Sequence, residues 1–470
     1  MVLVLTMVVL QSISFTNYAL TTKTTNIIYG SAPYLTFDGG RTRVTNTAAL
    51  LGISLSDGRT FTPTTNDSRN HPIILPASGQ SFNDIGMLVP RNTDSIALSS
   101  LIGAPYNYWG DDDGDGQGVN GVTATGRLKL SIVDNDNNPV ARNEVLTICK
   151  APYKLTLSND GGTLKTRYGV PNESRFNSGN VTYYIKPKEI QICYAVPSTY
   201  YDAGFPGVWL KYNGFITQSF TPSSYGLNFP TTGANNLFFY LEIRGTNQAL
   251  SWAPVSHGGI TATMTYPTSD SVKVTLTGPV ATESQWSSDN PGRINRISLP
   301  QTFELVGRDS SGNAVVKYGF VLKQWFVNRG PSYYDTHANT KSWCNKIGGY
   351  RLPKVKDLTN AACRNNTGWG VCRGDYEHDV NALTATPSSY FNNVSRYIGA
   401  GFFTEWGNMS YYTGYPEGAN FVGNHSTYGE YLTSDKSSSG NHFFAISGYN
   451  GSLYYKSYTY DKAYGLCVYP

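Results

Sequence analysis

At 470 residues the chain is long enough for two or three domains. Charged residues make up 14%, against roughly 25% in an average globular protein, while aromatics reach 13% with 35 Tyr and 48 Gly. That balance favours many strands and polar turns over long helices. A formal charge of +4 with no basic run argues against nucleic acid as a partner.

Residues 1–20, MVLVLTMVVLQSISFTNYAL, carry an apolar run over 2–10 and a small residue, Ala19, before a candidate cleavage point; they read as a signal peptide. The departure is that no Lys or Arg precedes the run, the first basic residue being Lys23. A buried strand, or a start inside a longer gene, is the plainer alternative. No later segment has the ~18 consecutive apolar residues of a spanning helix.

Residues 21–305 read as a β-rich region of one or two sandwich-like units, with turn residues every ~8–12 positions. Leu128, Leu130 and Ile132 alternate with Lys129, Ser131 and Val133, and an Asn/Asp turn with Pro139 predicts a return strand. VTYYIKPKEIQICYAV (181–196) and SVKVTLTGPVA (271–281) carry the same signal. LFFYLEIRG (237–245) is nearly continuous in apolar residues and predicts a strand buried on both faces.

Residues 306–470 form a third segment. TFELVGRDSSGNAVVKYGFVLKQWFV predicts a hairpin around an Asp-Ser-Ser-Gly-Asn turn. Helical patterns follow over 336–347 and 355–363, then polar loops, an aromatic strand IGAGFFTEW (398–406), a Tyr/Gly-rich loop and three closing strands near 430, 443 and 452. The stretch WCNKIGGYRLPKVKDL (343–358) sets a cysteine on a helical pattern, breaks at Gly-Gly, and restarts with Pro353 in a first helical turn. Val355, Leu358 and Ala362 then share one helix face.

The six cysteines, Cys149, Cys193, Cys344, Cys363, Cys372 and Cys467, lack C-x-x-C spacing, which weakens zinc and thioredoxin-like readings. An even count in such a chain predicts disulfides and an exported protein, with 15 pairings open. Order along the chain suggests Cys149–Cys193, Cys363–Cys372 and Cys344–Cys467.

Four clusters are candidate sites. In WGDDDGDGQGVNG (109–121), Asp111, Asp113 and Asp115 alternate before Gly116, like the opening of an EF-hand loop. The twelfth position is Val122, not Glu, so the loop is no EF-hand; structural calcium or a solvated turn remain. Arg373-Gly374-Asp375 is an integrin-type tripeptide directly after Cys372, where a bridge to Cys363 would constrain it; a chance tripeptide in a polar loop is the alternative. Among the aromatics, Phe402, Phe403 and Trp406 are expected in the core, and Tyr411, Tyr412 and Tyr415 are candidates for a binding face. For catalysis there is no H-E-x-x-H, G-x-S-x-G or P-loop, and His71, His257, His337, His378, His425 and His442 are scattered.

Two short helices around a YRLP turn in a β context resemble the start of a C-type-lectin-like domain. Longer strings, among them APYLTFDGG (32–40), YWGDDDGDGQG (108–118), SSYGLNFPTTGAN (223–235), VVKYGFVLKQWFVNRG (315–330), RLPKVKDLTNA (351–361) and IGAGFFTEWG (398–407), resemble the adhesion domain of enterobacterial invasin E and related intimin/invasin-like surface adhesins, once catalogued as a Salmonella repeat family. The resemblance covers nearly all of the chain after residue 20. It implies a mainly β fold, sandwich-like and then C-type-lectin-like α+β. It implies an extracellular or bacterial-surface adhesin whose partner is a host-cell glycan or protein, without catalysis or a small-molecule cofactor. Members of this kind sit at the tip of a long protein with an outer-membrane barrel and Ig-like repeats. Neither is recognised here, so secretion, a piece of a longer protein, or attachment to a larger outer-membrane-anchored adhesin are the expected routes to the surface. The calcium-dependent sugar motifs of animal C-type lectins (E-P-N or Q-P-D, with W-N-D) are absent, so no sugar site carries over. The alternatives are an enzyme on a lectin-like fold related to formylglycine-generating enzymes, which would need a reactive cysteine pair, and a structural spacer.

Overall fold

In the computed structural model the described residues are 29–114, 121–198, 203–365, 371–372, 375–413, 419–422, 429–457 and 461–470; the expected signal peptide lies outside them. The fold is mainly β. Contacts divide the chain into two compact units, one running to Leu146 and resuming at Lys150–Pro187, the other made of Thr147–Cys149 and Lys188–Pro470.

In the first unit a five-stranded sheet runs in the order Ile73–Ile74, Gly179–Lys186, Tyr153–Asn159, Arg127–Val133, Ser95–Ala97. Leu128, Leu130 and Ile132 point inward as their alternation requires, alongside Leu155 and Leu157. The predicted return strand is reduced to one bridge, Val133 to Pro139, because the Asp134 carboxylate accepts the N–H groups of Asp136 and Asn138 and rounds the chain into a turn. The true neighbour is Tyr153–Asn159. A three-stranded sheet, Glu173–Phe176, Gly162–Thr166, Val122–Thr125, continues these strands beyond a bend. Glycine makes the bend: a Cβ on Gly126 would stand 2.2 Å from the Gly161 carbonyl oxygen, and one on Gly162 would stand 1.9 Å from that of Thr125.

The second unit holds a seven-stranded sheet with Leu237–Arg244 at its centre, between Gln191–Val196 and Ser271–Thr277. Leu237, Phe238 and Phe239 are all buried, so the start of this strand is covered on both faces; beyond it burial alternates. The segment 181–196 does form two strands, yet they do not pair. The first joins the five-stranded sheet and the second this one. The hairpin Gln301–Arg308 and Ala314–Leu322 closes over Asp309, whose carboxylate accepts the N–H groups of Ser311 and Asn313. It shares a core with the sheet through Phe239, Phe303, Tyr318 and Phe320.

Strand Gln324–Asn328 then leaves the hairpin and runs between Thr232–Ala234, parallel, and Leu466–Tyr469, antiparallel. The compact units therefore part near residue 188, not at the expected boundary of 305. Thr232–Ala234, from before that boundary, is a strand partner of residues beyond it, and one core runs from Ile192 to Val468. A five-stranded sheet of Tyr334–Asp335, Ala463–Tyr464, Glu430–Lys436, His442–Ser447 and Leu453–Ser457 completes the unit; its three longest strands are the closing ones expected.

Helix His337–Lys346 starts as predicted, with the Thr336 hydroxyl accepting the Asn339 N–H. The second helix is only Val355–Leu358, and Pro353 precedes its cap, Lys354, instead of sitting in its first turn. The Arg351-Leu352-Pro353 motif is an anchor. Arg351 bridges to Val468 through backbone bonds and its guanidinium holds Asp357 at 2.6 Å. The three disulfides are Cys149–Cys193, Cys344–Cys467 and Cys363–Cys372, and no cysteine is free.

The loop closed by Cys344–Cys467 spans 123 residues. Replacing both by Ala is expected to lower unfolding free energy by about 4 kcal/mol, read from denaturant curves. His337 gives a pH dependence. Its ring stacks on Phe443 and is 7% exposed, and burial pushes the imidazole down to about 4. The unfolded chain binds that proton near pH 6.5. The contribution is therefore complete above 6.5 and lost as pH falls toward 4, by up to ~1.4 kcal/mol per pH unit. His337→Phe should flatten this slope relative to the parent chain.

Candidate recognition surface

The region expected to carry recognition is organised around segment 398–406. It is not a strand: Phe402–Trp406 is a short helix, between Gly401 and Gly407. Phe402, Phe403 and Trp406 are fully buried, as the sequence suggests. The Trp406 ring lies 4.9 Å from Phe229, and its indole N–H donates to the Thr232 carbonyl at 3.0 Å.

Glu405, on the same turn, is fully buried. Its carboxylate accepts the N–H and hydroxyl of Thr231 (3.1 and 2.7 Å), the N–H and hydroxyl of Thr232 (2.9 and 2.6 Å) and the N–H of Gly399 (2.8 Å). Burial pushes this carboxyl above the usual glutamate range against the pull of its donors. Arg396, equally buried, donates to the carbonyls of Glu405 and Ser198 and lies 4.9 Å over the Trp209 ring. Gly407, at φ +75°, leaves the space this guanidinium occupies; a Cβ there would be 1.9 Å from Nη2.

Tyr412 is not a surface residue. It is fully buried, its hydroxyl donating to the Trp406 carbonyl (3.0 Å) and accepting the Ser198 N–H (2.9 Å). Tyr411 is 39% exposed, with its ring against Phe238 and Tyr412. Tyr415 lies outside the described residues, as do Arg373 and Gly374 and the side chain of Asp375. The backbone of Asp375 opens helix Asp375–Leu383, where the sequence suggested only polar loop. Tyr376, Val380 and Leu383, at helical spacing, are the signal that reveals it.

The Cys363–Cys372 bridge stands on this helix: the Cys363 N–H donates to the Asn381 side-chain oxygen at 2.8 Å. Alongside, the carbonyls of Phe391 and Tyr390 accept the N–H groups of Ala362 (3.1 Å) and Asn365 (2.8 Å). Asn392 exchanges bonds with the Leu453 carbonyl and N–H (3.0 and 2.8 Å). On this fixed backbone Tyr390 is 67% exposed and Phe391 51%. A second aromatic group is Tyr376 stacked on Tyr455 at 4.9 Å, with the Tyr376 hydroxyl 3.0 Å from His442 Nδ1. Neither group was singled out by sequence.

In the first unit, Asp113 accepts the Ser31 N–H at 2.7 Å, and Asp112 accepts the Tyr34 hydroxyl and pairs with Arg43. Asp115 lies outside the described residues, and among those residues no three acidic, His or Cys side chains converge. A calcium ion held by Asp111, Asp113 and Asp115 would thus depend on a residue beyond them.

No protein-family model and no curated protein matches the chain. Several solved structures are similar in part. Invasin, a bacterial integrin-binding protein, is 12% identical over 74% of this chain and 51% of its own, with a TM-score of 0.34. The match thus spans about half of that invasin chain. The C-terminal 282-residue fragment of intimin, solved with the intimin-binding domain of the translocated intimin receptor, is 12% identical over 74% of this chain and 86% of its own, with a TM-score of 0.31. An EHEC O157:H7 intimin mutant is 13% identical over 52% and 89%, with a TM-score of 0.26. Likenesses of this size fix neither family nor function.

Glu405→Gln tests the buried site. Either orientation of the amide turns its NH₂ toward a backbone N–H that has no other acceptor on offer. A loss of about 2–3 kcal/mol in denaturant-measured stability is expected.

Proposed function

We propose that this chain is a surface-recognition protein, an adhesin of the intimin/invasin-like kind, and that residues 306–470 bind a host-cell glycan or protein without catalysing a reaction. One observation carries the reading: Tyr390 and Phe391 stand in solvent on a backbone already bonded to Ala362 and Asn365, beside Cys363–Cys372. Large rigid side chains dominate binding energy when little order has to be imposed on them. The Arg373-Gly374-Asp375 tripeptide, which follows Cys372 in sequence, and the partly exposed Tyr411 are further candidates for contact with the partner.

Three disulfides support an extracellular or cell-surface location, where such bonds persist. No helix among the described residues is long and apolar enough to cross a membrane. The pairing of Gln324–Asn328 with Leu466–Tyr469 and the Cys344–Cys467 bridge support a lectin-like arrangement whose first and last strands meet. With every cysteine paired, the thiols that a formylglycine-type enzyme needs are not present in this form.

The test uses the whole chain against host-cell membranes and a glycan array. Tyr390→Ser with Phe391→Ser should weaken binding at least ~10-fold with the melting temperature unchanged. Full binding by that variant, or no saturable binding by the parent chain, would overturn the reading.

A further inference from the structure

A second site lies in the first unit, independent of the surface proposed above. Two adjoining hollows of about 400 and 370 Å³ share Phe37, Tyr106 and Tyr108 as walls. Together they are the size of a cleft for a small ligand. Trp109 extends one end. Arg91, Asn92 and Arg142 line the other.

The aromatic walls are partly exposed and held in place. Tyr106 and Tyr108 lie 5.6 Å apart, tilted by 51°, and the Tyr106 hydroxyl donates to the Asn92 side-chain oxygen at 3.2 Å. Faces set in this way offer the flat, apolar area on which the C–H face of a pyranose ring rests while its hydroxyls stay wet.

The opposite end supplies charge. Arg142 donates from Nη1 to the Pro90 carbonyl at 2.7 Å, while its buried Nε–H has no acceptor among the described residues. Among the described residues neither Arg91 nor Arg142 has an ion-pair partner. Among the described residues the charged groups that act on Arg142 are Asp94, which favours its charge, and Arg91, which opposes it. Two cations against one carboxylate leave this end net positive, and a guanidinium in such a site prefers a carboxylate it can grip with two N–H groups.

We propose that this cleft binds a carboxylate-bearing saccharide, of the sialic or uronic acid class, with the sugar ring against Tyr106, Tyr108 and Phe37 and its carboxylate toward Arg91 and Arg142. The apolar length of the walls asks for more than a free anion. The unpaired arginines distinguish an acidic sugar from a neutral one.

Calorimetric titration of the whole chain with sialyllactose and trigalacturonate, beside lactose and neutral galactotriose, tests it. At least one acidic probe should bind at least tenfold more tightly than its neutral counterpart, and weaken as salt rises from 50 to 500 mM. Arg142→Gln should lose that preference. Should that variant unfold, exposed Arg91→Ala and wall variant Tyr106→Ala, each checked by its melting curve, should each cost at least fivefold. Tyr266→Ser, 80% exposed in the second unit and part of neither surface, should bind as the parent does. No binding of either acid, equal binding of acid and neutral sugars, or variants that fold and bind unchanged would overturn the proposal; so would a poly-glutamate peptide that binds in place of the sugars.

Discussion

The carboxylate of Glu405 meets five donors from three residues that lie far away in sequence or across a tight turn: Thr231, Thr232 and Gly399. A buried charge is tolerated only when its acceptors are filled, and here the filling does topological work. Thr232 opens the strand that runs parallel to Gln324–Asn328, so the same bonds that satisfy Glu405 join helix Phe402–Trp406 to a sheet begun some 170 residues earlier. Trp406 closes the gap from the apolar side, and Arg396 donates to the Thr404 and Glu405 carbonyls at the end of the helix. The apolar core of the second unit runs past this knot without a break.

Around the knot the aromatic residues divide by what their polar atoms find. Tyr412 has both a carbonyl and an N–H for its hydroxyl, and is buried at no polar cost. Tyr390 and Phe391 have backbone partners but no cover for their rings. An exposed aromatic pair on a mobile loop would lose entropy on every encounter; one fixed by Asn392 and by the segment beside Cys363 has already lost it in folding. The cleft of the first unit follows the same rule, with Tyr106 held by Asn92.

Strand character was legible in the sequence wherever alternation is clean, as at Leu128, Leu130 and Ile132, and so was the helical pattern over 336–347. The order of the cysteines also matched the bridges. Partner choice was not legible. Nothing local in VTYYIKPKEIQICYAV tells that its two strands serve different sheets, and the parallel pairing of Thr232–Ala234 with Gln324–Asn328 is invisible to periodicity. The segment FFTEW misled because aromatic residues favour strands on average. Its spacing, Phe402 and Phe403 with Trp406, and the glycines on either side were the better guide to a helix turn. Of the candidate site, Phe402, Phe403 and Trp406 were legible as core; Tyr412 was not, since its burial depends on a carbonyl and an N–H that only the folded chain supplies.

The pairing of Gln324–Asn328 with Leu466–Tyr469 also sets an order in time. Every strand of the first unit has been made by Lys186, so that unit has all its partners while more than half of the polypeptide is still to come. The second unit lacks one neighbour of strand Gln324–Asn328, the Arg351 bridge and one end of its longest covalent loop until Cys467 and Val468 emerge. Contacts of such separation close late. A chain cut short by a few residues there forfeits three ties at once, while the first unit keeps every strand it had.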